Sequence, residues 1–248
     1  MQAEHRSTVA PDHPEIGDAG ALLTIDLGAL ADNWRLLAAT ASGAECAGVI
    51  KADGYGVGLE HAARILFAAG CRTFFVALPE EGRRARVAAP GATIYVLDGL
   101  MPGAAADYVG AGLRPVLGSI EEIAEWGAFC RLAGDQPAAV HVDTAMNRLG
   151  IRIDDAAMLA ADGESFAAFT PALVMSHLAC ADDPDDPLNA RQLDRFGTVR
   201  ALFPGIPASL ANSAGILLGP AYHFDLVRPG IALYGGARSL VDWHARHG

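Results

Sequence analysis

Gly48-Val49-Ile50-Lys51-Ala52-Asp53-Gly54-Tyr55-Gly56-Val57-Gly58 reads as a short apolar strand that ends on a lysine and enters a glycine-rich loop. Lys51 is the only lysine among the 18 Lys and Arg residues, so it belongs to no solvated lysine face. Burial in an apolar site disfavours the ammonium form and frees the amine as a nucleophile. A Schiff-base lysine is therefore one reading of Lys51. A strand-end lysine that reaches out to water is the other.

Working outward, the strand-loop-helix unit repeats. Apolar runs that read as strands fall at 48–50, 73–78, 92–97, 114–117, 138–142, 172–178, 208–210 and 224–227. Helical patterns fall at 59–69, 79–87, 104–110, 120–133, 154–161 and 190–202, and an earlier helix at 27–41 starts from the capping residue Asp26. Continuous apolar strands imply a sheet covered on both faces, as in parallel sheets. Eight such steps in an α/β chain of 248 residues predict a (β/α)8 barrel of the TIM type. An open doubly wound sheet is the competing fold, but Gly54-Tyr55-Gly56-Val57-Gly58 lacks the spacing of a dinucleotide-binding fingerprint.

Composition narrows the function classes. A hydrophobic content of 52% permits a large core, and a formal net charge of −11 argues against a nucleic-acid partner. No apolar run is long enough to span a membrane. Residues 1–20 are polar, lack an apolar signal core and are expected to form a disordered leader. Cys46, Cys71, Cys130 and Cys180 lie far apart without metal-site spacing, which suits reduced thiols in a cytoplasmic protein.

A barrel carries its chemistry where its strands end. Lys51 ends the first strand, Arg148 follows the fifth, His177 ends the sixth, Asn212 and Ser213 end the seventh, and Arg228 ends the eighth. They should converge on one mouth. Taken singly, each has a plain structural reading. Arg148 pairs with Asp143 or Asp154, His177 is a satisfied core histidine, and Asn212-Ser213-Ala214-Gly215 is a turn with a helix cap. With Gly230 and Ile231, the last stretch also suits a phosphate cradle. No Gly-x-Ser-x-Gly elbow supports a serine hydrolase. His141, His177, Asp182 and Asp183 form no tight metal-ligand motif, so no metal is expected.

These residues resemble the alanine racemases, of the fold-type III pyridoxal-phosphate enzymes. The resemblance runs from about Leu22 to Gly235 and rests on ordered motifs. They are Val49 to Gly56, Val142 to Gly150, Ser176-His177-Leu178-Ala179, the Gln192-Leu193-Asp194-Arg195-Phe196 helix, Ala211 to Gly215, and Val227 to Gly235. The resemblance implies that Lys51 holds pyridoxal 5'-phosphate and is one of two acid/base groups. It implies that Tyr55, Asn212, Ser213, Gly230 and Ile231 line the phosphate side, and that His177 stacks near the ring. Arg228 would face the pyridine nitrogen, and Arg148 would help place the substrate carboxylate. The implied reaction interconverts L- and D-alanine in a homodimer. A barrel that binds the cofactor without catalysis is the alternative.

The sequence departs from the family in several places. His141 stands where many members carry a lysine that is carbamylated and orients the arginine. Val57 replaces a common histidine, and Ala145 a common glycine. The barrel is expected to span 21–236, and 237–248 to be a short divergent tail. The family's C-terminal β-domain, which supplies the second acid/base group, a tyrosine, is expected to be lacking, and the chain to be a partial racemase.

Overall fold

The computed structural model describes residues 21 and 23–236. The expected leader, 1–20, and tail, 237–248, lie outside the described residues. Helix α1 (Leu27–Thr40) comes first, with the Asp26 carboxylate accepting the Ala29 N–H at 3.0 Å. It is followed by β1 (Glu45–Cys46), β2 (Gly48–Val49), one helical turn α2 (Lys51–Tyr55) and α3 (Leu59–Ala69). Strands and helices then alternate: β3 (Thr73–Val76), α4 (Pro79–Ala88), β4 (Thr93–Val96), α5 (Ala105–Gly110), β5 (Arg114–Leu117) and α6 (Ile120–Ala133). The series continues with β6 (Ala138–His141), α7 (Ile153–Asp162), β7 (Pro171–Met175), α8 (Pro187–Leu202), β8 (Ala208–Ser209), α9 (Ser213–Leu217) and β9 (Leu226–Val227).

Strands β2 to β8 form a seven-stranded parallel sheet in sequence order, and β1 pairs with β9 in a second, two-stranded sheet. The two sheets belong to one surface. The N–H groups of Glu45, Ala47 and Val49 bond in turn to the carbonyls of Asp225, Val227 and Pro229, so β1 and β2 are halves of one strand. That strand pairs with β3 on one side and β9 on the other. Between β8 and β9 the link is thinner: an isolated bridge from Asn212 to Arg228, with the Asp225 N–H on the Ala208 carbonyl. Eight strands thus curl into the expected (β/α)8 barrel.

Alternation along the strands sorts the core into two clusters. Ala47, Val49, Phe75, Tyr95, Val116, Ala139, Leu173, Met175 and Leu226 fill the barrel interior. Their neighbours Phe74, Val76, Ile94, Val96, Leu117, Val140 and Val174 face the helices. Both sets are buried, which is why the strands read as unbroken apolar runs. No helix of the described residues is long and apolar enough to cross a membrane.

Most strands stop short of their apolar runs, and at two of them the difference bears on the site and its closure. β7 ends at Met175, so His177 sits in the loop beyond it. β9 begins only at Leu226, because Phe224 takes φ 53°, which no strand residue adopts.

Candidate functional site

The strand ends open into one cavity of about 470 Å³ at the C-terminal mouth of the barrel. Every site residue expected from the sequence lines it: Lys51, Tyr55, Arg148, His177, Asn212, Ser213, Arg228, Gly230 and Ile231. Val49, Phe75 and Met175 form its apolar floor, and these were legible only as core.

Lys51 enters the cavity from the turn α2, which winds the unusual way. Ala52, Asp53, Gly54 and Tyr55 all take left-handed values, with φ of 54°, 52°, 63° and 55°. Each L-residue in that region costs about 1–2 kcal/mol. The turn closes through the Gly54 N–H on the Ile50 carbonyl and the Gly56 N–H on that of Ala52, both at 3.0 Å. Tyr55 then stacks on Tyr234 with ring centroids 4.6 Å apart, and the Tyr234 hydroxyl donates to the Val49 carbonyl at 3.1 Å.

The same cavity holds a cradle of backbone amides and a hydroxyl suited to an anion. The Ser213 hydroxyl accepts the N–H groups of Gly230 (2.9 Å) and Ala232 (3.2 Å), which leaves its own hydrogen to donate. The N–H groups of Ala214 and Ile231 meet no acceptor among the described residues. A Cβ on Gly230 would meet the Tyr55 hydroxyl, so glycine here lets that side chain keep its place. The cradle is thus kept open for a group that backbone amides and hydroxyls can hold, such as a phosphate.

Arg228 is 3% exposed and meets no carboxylate among the described residues. It bonds to the Ser209 hydroxyl, to the Ser176 carbonyl at 2.5 Å and to His177 Nδ1 at 3.4 Å, and lies 5.9 Å from the Phe75 ring centroid. Burial pushes its pKa down to about 9, so it remains cationic at neutral pH. Burial also drives the His177 imidazolium pKa well below the ordinary value, with Arg228 and Arg148 adding to the effect. His141 falls to about 4 through burial first and Arg228 second, against the opposing pull of Asp143. Both histidines are therefore neutral at pH 7.

Arg148 is exposed at the rim, and the pairing that would have made it merely structural is not made. The Asp143 carboxylate instead accepts the N–H groups of Ala145, Met146 and Asn147 at 2.9–3.1 Å, and Asp154 meets Arg152 at 3.8 Å. Arg148 meets no carboxylate among the described residues. Neutral His141 supplies no anion to hold it.

A buried polar chain escaped the sequence reading. The Gln192 amide donates to the His177 carbonyl (2.9 Å) and to Thr144 Oγ1 (3.3 Å), and accepts the Ala179 N–H (2.9 Å). Thr144 in turn meets Ser176 Oγ at 2.7 Å. The signal available in the sequence was a glutamine on the inner face of α8, where it is wholly buried. The network ties the loops after β6 and β7 to Arg228 through Ser176.

A lysine, a cradle of amides and a hydroxyl, and two arginines that meet no carboxylate among the described residues line one cavity of a (β/α)8 barrel, an arrangement that can hold an anionic small molecule beside an amine. Comparison with known proteins narrows this class. Residues 25–238 match the family model described as "Alanine racemase, N-terminal domain". The alanine racemase of Methylobacterium nodulans is 58% identical over 218 residues, 88% of this chain and 59% of the relative. That of Rhizobium meliloti is 52% identical over 90% of this chain and 59% of its own length. The crystal structure of alanine racemase from Bartonella henselae with covalently bound pyridoxal phosphate superposes with a TM-score of 0.83 at 39% identity, over 90% of this chain and 64% of that one. The chain belongs to the alanine racemase N-terminal domain family. It spans about 59% of the length of these curated relatives.

Proposed function

We propose that residues 21–236 are the cofactor-binding barrel of a pyridoxal-phosphate-dependent alanine racemase. The observation that carries this reading is the meeting of Lys51, the Ser213–Gly230 cradle and Arg228 in a single cavity. The names of the relatives and the cofactor named for the Bartonella henselae structure support it.

Pyridoxal phosphate, when bound, supplies the electron sink that lets an α-proton leave an amino acid. The chain's own residues do the rest. Lys51 holds the cofactor through its amine and moves a proton on one face of the substrate α-carbon. Tyr55, Asn212, Ser213, Gly230 and Ile231 hold the phosphate, with the Ser213 hydroxyl oriented by the two N–H groups it accepts. His177, neutral and half-buried, would pack beside the ring. Arg228 would face the pyridine nitrogen. A guanidinium has donors only and stays protonated, so it leaves that nitrogen an acceptor. Arg148, free of carboxylate partners, takes the substrate carboxylate.

The same reading takes alanine as substrate, a homodimer as assembly and the cytoplasm as compartment. The free cysteines Cys46, Cys71, Cys130 and Cys180 accord with a reducing compartment. A second reading, cofactor binding without racemisation, draws on one observation: Tyr55 is the only tyrosine lining the cavity among the described residues, and its hydroxyl is turned to Gly230. One experiment separates the two. Purified chain mixed with pyridoxal phosphate should gain the visible absorbance of a lysine-linked cofactor, and Lys51→Ala should abolish it. Absorbance that survives Lys51→Ala sinks the cofactor assignment. A chiral assay on L-alanine then distinguishes a racemase from a binding barrel.

A further inference from the structure

We propose that Glu81 and Arg84, on the outer helix α4, are positioning residues that hold the turn α2 in its left-handed form and so aim Lys51 and Tyr55 into the cavity. The proposal rests on the cofactor reading for its consequence, though not for its geometry. Neither residue lines the cavity.

Three of the four left-handed residues carry side chains, so the turn cannot be the locally favoured conformation. Something outside it must hold it. The grip falls on Asp53, midway between Lys51 and Tyr55. Glu81 Oε1 accepts the Asp53 N–H at 3.1 Å. Its other oxygen accepts the N–H groups of Ala77 (2.8 Å) and Leu78 (3.3 Å), just past β3. One carboxylate thus fastens the turn to the end of the adjacent barrel strand.

Arg84 grips the other side of Asp53. It donates to Asp53 Oδ1 at 2.8 Å and reaches both Glu60 oxygens at 2.6 and 2.8 Å. Asp53 Oδ1 also accepts the Leu59 N–H at 3.1 Å, which joins the turn to α3. Asp53 is therefore held at its amide and at its carboxylate by two successive turns of α4. The Leu59 N–H, with the Arg84 guanidinium, keeps the Asp53 carboxyl below its ordinary range, and Arg84 holds Glu60 at about 2, so the clamp is charged at neutral pH.

The plain alternative is that Glu81 only caps α4 and Arg84 only forms a surface ion pair. A cap uses one carboxylate oxygen, and here the other is spent on Asp53. A right-handed turn would carry Tyr55 off Tyr234 and away from Gly230, which opens the phosphate side of the cradle.

The test uses the full chain and two readouts. Hydrogen exchange of the 50–58 segment without cofactor reports the turn itself, and titration with pyridoxal phosphate reports the site. Glu81→Ala should speed exchange in 50–58 and weaken cofactor retention about tenfold. Arg84→Gln, at a partly exposed position that leaves the core intact, should do the same to a smaller extent, about threefold. Ala52→Gly added to Glu81→Ala should recover part of the retention, because glycine adopts positive φ without strain. Exchange in 50–58 that is unchanged in both single variants overturns the proposal. So does a loss of retention that glycine does not relieve at all. If the wild-type chain binds no cofactor, the functional reading fails, while the exchange data still decide the clamp.

Discussion

His141 shows how a single side chain ties the site to stability. Its imidazole sits at the end of β6 beside Arg228 and Arg148 with only Asp143 to favour its charge, and burial lowers its pKa from 6.5 to about 4. In that window the unfolded chain binds the proton and the folded chain does not. Stability from this group is therefore complete above about pH 6.5 and is lost as the pH falls towards 4, with a total of about 3 kcal/mol. His177 acts in the same direction. Urea denaturation at pH 7 and pH 4.5 should show a smaller acid loss for His141→Asn than for the wild-type chain. An equally steep loss in the variant would mean that other groups carry the acid transition. The sequence marked His141 as a departure from its family. Its neutrality was not legible, because that depends on burial and on arginines that folding brings beside it, Arg228 from beyond β9 and Arg148 from the loop after β6.

At the scale of the element, the loop between β6 and α7 carries Arg148 over the cavity. It folds tightly: Asp143 gathers three successive N–H groups, and a Cβ on Gly150, at φ 106°, would come within 2.8 Å of the Asp143 nitrogen. Ala145 stands in this loop at φ 105°, a conformation that suits glycine. The strain costs about 1–2 kcal/mol, and glycine's greater freedom in the unfolded chain costs about 0.4–1 kcal/mol. Ala145→Gly should thus raise stability by about 0.5–1 kcal/mol, read as a higher urea midpoint at an unchanged slope. A lower midpoint would mean that Ala145 is not strained. Here the sequence did carry the sign, since alanine occupies a place where the family commonly has glycine. The same was not true of α2: the triplet Ala52-Asp53-Gly54 contains one glycine, and nothing local announces four left-handed residues in a row.

For the molecule as a whole, the barrel has a seam. Most neighbouring strands share two to four residue pairs, whereas β8 and β9 are joined by an isolated bridge, by the Asp225 and Arg228 N–H groups on the carbonyls of Ala208 and Ala211, and by side chains that supplement these bonds. The Asp225 carboxylate accepts the Ala208 N–H at 2.8 Å, and the Ser209 hydroxyl donates to the Leu226 carbonyl at 2.6 Å. Native-state hydrogen exchange should find β8 and β9 opening before β3, β4, β6 and β7. Asp225→Ala leaves the buried Ala208 N–H without its acceptor, so it should cost about 1–2 kcal/mol and speed exchange at the seam first. Uniform exchange around the barrel would show that closure is no weaker there. The short final strand was read as longer from its apolar pattern, because the pattern does not report that Phe224 turns the chain out of the sheet.

Periodicity alone determined the repeated strand-helix unit, because a strand buried on both faces must be apolar throughout and each crossover needs a helix. It also placed Lys51, Arg148, His177, Asn212, Ser213, Arg228, Gly230 and Ile231 at strand ends, where a closed barrel brings them together. Tertiary structure decided what those residues are free to do. Arg148 is uncommitted because Asp143 is spent on its own loop. Arg228 is a buried cation because serine and carbonyl oxygens from residues 19 and 52 positions before it converge on it. Lys51 points inward because Glu81 and Arg84 act on the turn beside it across 28 and 31 positions of sequence. Hydrophobic pattern is local and survives in one dimension. Charge state, hydrogen-bond commitment and backbone hand depend on neighbours that only folding supplies.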